Sequence, residues 1–73
     1  SREEVLSKYE DLETSRIKWI KDVVKRIKIK YIDSEIERVK NAIRKTEAEN
    51  NDPTNLIEQF NSLHSQKLSL LNS

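Results

Sequence analysis

No glycine occurs in this chain of 73 residues, and its single proline is Pro53. Tight β-hairpins, bulges and barrel corners use glycine to reach positive φ, and other turns use proline to fix it. With almost no such punctuation, all-β and α/β architectures start well behind, and helix is the state the chain can sustain. The composition agrees: 37% of residues are charged and 34% apolar, a balance that suits exposed helices better than a compact enzyme. A core this small rarely supplies more than about 3–5 kcal/mol unaided. With no cysteine, neither a disulfide nor a thiolate metal site can reinforce it. Surface from a partner, a second copy or another protein, is the expected supplement.

Helical periodicity runs through most of the chain. Ser1-Arg2-Glu3-Glu4 has the S-x-x-E form of a capping box, although Ser1 is the first residue and the sequence leaves that cap open. Val5, Leu6, Tyr9 and Leu12 follow at helical spacing and predict a short helix over 2–13. Thr14-Ser15 combines N-cap chemistry with a change of phase, so a break is expected there. Asp33-Ser34, with Glu37 three residues after Ser34, is the second choice for a break.

From Arg16 to Asn50 nothing need stop a helix, and two apolar stripes occupy it. Ile20, Val24, Ile27 and Tyr31 form the first, with Val23 beside them. Ile29, Ile32, Ile36, Val39, Ile43 and Thr46 form the second, at the alternating three- and four-residue spacing of an amphipathic seam. Asn50-Asn51-Asp52-Pro53 is the clearest boundary: Asp52 can cap the next helix, with Pro53 at its first position. Leu56, Phe60, Leu63, Lys67 and Leu70 then repeat at the same spacing, flanked by Ile57, His64, Leu68 and Leu71.

The expected fold is therefore all-α: an antiparallel helical hairpin, with a long helix over 16–50 and a second over 53–72, preceded by the short helix over 2–13. The expected layers set Ile43 against Leu56 or Ile57, Val39 against Phe60, Ile36 against Leu63, and Ile32 against Lys67 or Leu70. A swapped homodimer could use the same seam. A hairpin seam does not use all the apolar side chains. Trp19, Ile20, Val23 and Val24 on the long helix, and Ile57, His64, Leu68 and Leu71 on the last, are surplus, and a contiguous surplus suggests a docking face.

The net charge of +1 is unevenly spread. Residues 1–15 carry −3, residues 16–30 carry +6 and residues 31–73 carry −2. The basic run from Arg16 to Lys30 could follow a phosphate backbone. A solvated helix face, with lysine stems shielding the apolar stripe, is the favoured reading, and direct nucleic-acid binding is not expected. Trp19 and Tyr31 are read as seam anchors in preference to ligand contacts. No apolar run reaches the roughly 18 residues of a membrane span. A single histidine, no cysteine and no Gly-rich loop leave no nucleophile–base–orienter set and no metal-ligand spacing, so neither catalysis nor a cofactor is expected.

Residues 19–73 resemble the extreme C-terminal end of bacterial DnaG-type primases, which finish in a helical hairpin. Ile27, Ile29, Ile32, Ile36 and Ile43 match the pattern of its first helix. Thr46-Glu47-Ala48-Glu49-Asn50-Asn51-Asp52 matches the run into its turn, and Leu56, Phe60, Leu63, Gln66 and Leu70 match its second helix. Trp19 to Ile29 resembles the stalk that leads into the hairpin. Lys67 interrupts the last stripe, and residues 1–18 lie outside the match; they would be the end of a preceding helical subdomain.

The resemblance implies a non-catalytic interaction module in the bacterial cytoplasm. Its partner would be the N-terminal domain of the hexameric replicative helicase (DnaB-type). The docking residues it implies are Ile57, His64, Gln66, Lys67, Leu70 and Leu71.

Overall fold

The computed structural model describes residues 1–73 and contains two helices and no strand. Helix α1 spans Arg2–Ala48 and helix α2 spans Thr54–Leu71. They form an antiparallel hairpin in which α1 is far the longer, so the molecule measures 74 × 15 × 10 Å. The hairpin and its closing turn follow the sequence expectation. The separate first helix does not.

Helix α1 begins at the capping box: the Glu4 amide donates to Ser1 Oγ at 3.3 Å, and the Glu4 carboxylate returns to the Ser1 amine at 3.2 Å. It then runs unbroken through Thr14-Ser15, which corrects the expected division into helices over 2–13 and 16–50. Hydroxyl side chains cap a helix only where the backbone leaves helical angles, and no glycine or proline here makes it leave. Glu13 pairs with Arg16 at 3.4 Å across the site, a spacing that favours continuity. Asp33-Ser34 is likewise helical throughout.

The stop comes at Asn50, whose φ of 58° is the one positive value in the chain. The Asn50 amide donates to Glu47 O at 3.0 Å and the Asn51 amide to Thr46 O at 2.9 Å. These two bonds are the Schellman pattern, with asparagine in the left-handed position that glycine usually fills. Asp52 Oδ1 then accepts from the Thr54 amide at 3.0 Å and also from the Thr54 hydroxyl. Pro53, one residue before the assigned helix, already lends its carbonyl to the Ile57 amide at 2.9 Å. Asp52 thus caps α2 as the sequence indicates, with a one-residue difference in where the helix begins.

Only Ile32 and Val39 are buried, at 8% and 0% exposure. Around them lie the half-buried Ile29, Ile36, Ile43 and Thr46 of α1, and Leu56, Phe60, Leu63, Lys67 and Leu70 of α2. These are the two stripes read from the sequence, now facing each other. Two polar contacts cross the seam: Lys67 Nζ to Asp33 Oδ1 at 2.7 Å, and Lys25 Nζ to the Ser73 carbonyl at 3.0 Å. Both fit, to within a residue, the register that sets Val39 opposite Phe60 and Ile36 opposite Leu63. Toward its N-terminus α1 outruns α2, and every residue from 1 to 22 is exposed.

Candidate functional site

The seam divides the six residues expected at a partner surface into three groups. Lys67 and Leu70 belong to the seam itself. Leu70 is half-buried against α1, and Lys67 is held by Asp33 across the hairpin. Gln66 lies on one flank, where it helps line a shallow groove of about 680 Å³ with Ile27, Tyr31, Ile32, Leu63 and Leu70. Its amide also donates to Ser62 Oγ at 3.4 Å, one turn back along α2. Ile57, His64 and Leu71 are exposed away from that groove.

Ile57, His64, Leu68 and Leu71 recur at intervals of seven, four and three, so helical geometry places them on one face of α2 beside the buried stripe. Their exposure supports this: Ile57, Leu68 and Leu71 are each 42–50% open to solvent. The His64 ring stacks on Phe60, centroids 6.0 Å apart and planes within 6°. That stacking braces the imidazole against a seam residue and fixes its direction. The result is an apolar strip running the length of α2, interrupted by one amphipathic ring.

Polar groups border the strip. On the α1 side, Lys40 and Arg44 stand with Ile43 and Phe60 around a second, smaller groove, and Lys40 also pairs with Glu37 at 3.8 Å. Elsewhere on the hairpin, Glu35 accepts two hydrogen bonds from Arg38, at 2.9 and 3.1 Å. The hydrogen bonds to Glu35 and its charge hold the Arg38 guanidinium pKa above its ordinary value. Asp52 at the turn sits below the ordinary carboxylate value, chiefly through the Thr54 hydroxyl and then the Thr54 amide.

One feature of this surface was not picked out in the sequence. Asp33 is the partner that lets a lysine occupy an apolar stripe, and only the hairpin register reveals it. The basic segment is also resolved. Lys18, Lys21, Lys25 and Lys28 share one face at intervals of three and four, and that face passes under the end of α2 beside Leu70 and Ser73.

No cluster of three or more His, Cys, Asp or Glu side chains is placed to hold a metal ion. No helix is long and apolar enough to cross a membrane. In comparisons with protein-family models, with curated proteins and with solved structures, nothing matches this chain.

Proposed function

We propose that the chain is a protein-interaction module, the C-terminal hairpin of a DnaG-type bacterial primase, which docks on the N-terminal domain of the hexameric replicative helicase. One observation carries the interaction reading. The hairpin consumes one stripe of α2 in its own seam and leaves a second, formed by Ile57, His64, Leu68 and Leu71, facing solvent along the whole helix. An exposed apolar strip with a polar border is the anatomy of a docking face. The choice of partner rests on the resemblance of residues 19–73 to the primase hairpin.

The mechanism requires no catalysis. The strip loses water against a complementary helical surface, and Lys40 and Arg44 beside it set orientation and encounter rate more than affinity. One hairpin of this size gives modest affinity, which repetition around a hexamer can raise.

Titration of the chain against the N-terminal domain of a DnaB-type helicase tests the reading. Binding in the micromolar range is expected. Leu71→Asp should weaken it about tenfold or more while helicity by circular dichroism stays unchanged. No binding at tens of micromolar, or equal loss of helicity and binding in Leu71→Asp, would count against it.

A further inference from the structure

Between Ile17 and Tyr31, where α1 runs past the end of α2, the helix divides lengthwise by chemistry. Helical geometry places Ile17, Ile20, Val23, Val24 and Ile27 on one side, with Trp19 at its edge and Tyr31 at its downstream end. Val23 is half-buried, and the other six are 43–67% exposed. Lys18, Lys21, Asp22, Lys25, Arg26 and Lys28 fill the opposite side. Ile29 is the one apolar residue among them, and it is half-buried in the seam. Helix α2 approaches from this charged side, where Lys25 Nζ donates to the Ser73 carbonyl at 3.0 Å. The hairpin therefore leaves the apolar side open.

The charges around that side select what covers it. Residues 16–30 carry +6, and their only acid, Asp22, is held by Arg26 at 3.1 Å. Lys21 and Lys28 stand along one border of the apolar side, Arg26 and Lys30 along the other. Lys18, Lys21, Lys28 and Lys30 have no acid partner within the chain. Long basic side chains on both borders lay their stems on the apolar surface and set their charges at one level above it. An anionic bilayer has the complementary order, with hydrocarbon beneath a layer of negative headgroups. A nucleic acid matches the lysines alone and leaves Trp19, Ile20, Val23 and Val24 in water. The match ends upstream, where the Glu13–Arg16 pair, at 3.4 Å, crosses the apolar side and residues 1–15 turn acidic. Downstream, the nearest edge of α2 presents Gln66 and Ser69, with no acid to repel such a surface.

We infer that the segment from Ile17 to Tyr31 binds an anionic phospholipid surface, lying in the plane of the headgroups with its apolar side toward the hydrocarbon. About 22 Å of helix is engaged. The α2 strip of Ile57, His64, Leu68 and Leu71 is on the opposite flank from the groove that Ile27 and Tyr31 share with α2, so it stays clear of the lipid. The inference is independent of the helicase reading.

Trp19 is the only tryptophan, so its emission reports on this segment directly. Vesicles of phosphatidylglycerol mixed with phosphatidylcholine should carry the chain down on sedimentation and shift the Trp19 emission to the blue. Vesicles of phosphatidylcholine alone should do neither, and high salt should weaken the binding. Lys21→Gln combined with Lys28→Gln should weaken it about thirtyfold. Ile20→Asp should weaken it about tenfold or more, with helicity in buffer unchanged because Ile20 is exposed. Failure of the anionic vesicles to bind the chain overturns the inference. Binding that the lysine substitutions weaken and Ile20→Asp leaves intact overturns it too, because charge alone then holds the chain. Duplex DNA that strips such a chain from the vesicles would make a nucleic acid the ligand of these lysines.

Discussion

Asp52 and Asn50 carry the reversal on which everything else is built, and neither is glycine or proline. Asn50 takes the left-handed angle that a β-branched residue would resist by about 1–2 kcal/mol. Asp52 caps α2 through the Thr54 hydroxyl and amide, which together hold its carboxyl below the ordinary value of 3.8. A carboxyl whose folded-state pKa is depressed stabilises the fold above its ordinary pKa, and that contribution is lost as pH falls through the folded value. The advantage of the native chain over Asp52→Asn, measured as the urea midpoint of helicity, should therefore be full at pH 6 and shrink toward zero by pH 2. A difference constant across that range would show that the charge of Asp52 does not matter.

At the scale of elements, α2 was almost fully legible. Its half-buried stripe of Leu56, Phe60, Leu63, Lys67 and Leu70 is the one its periodicity indicates. The same holds for Ile29 to Thr46 on α1, because a seam between two helices imposes that spacing directly. Continuity at Thr14-Ser15 was not legible, since the same hydroxyls can cap a helix or sit within one. The docking set was only partly legible. Lys67 stood both in the expected seam and in the expected docking set, because a lysine in an apolar stripe makes sense only beside Asp33, which arrives from the other helix. That pair is half-exposed, so Asp33→Ala should cost about 0.5–1 kcal/mol in urea unfolding. In a Lys67→Leu background, which completes the stripe, the cost should vanish. An equal cost in both backgrounds would mean that Asp33 acts on something other than Lys67.

Across the whole molecule, two stripes of α1 on different faces explain a shape that neither stripe explains alone. The downstream stripe folds onto α2, and the upstream one extends beyond it, which gives a 74 Å molecule with two buried residues. Such a chain is a set of surfaces, with its own stability confined to the hairpin. If the module works as proposed, the outer strip of α2 receives a partner while the seam stays closed. The most direct measurement is methyl NMR of the isotope-labelled chain as a helicase N-terminal domain is added. Shifts are expected at Ile57, Leu68 and Leu71, with Leu56, Leu63 and Ile36 unmoved. Shifts confined to the seam residues, or none at all, would contradict it.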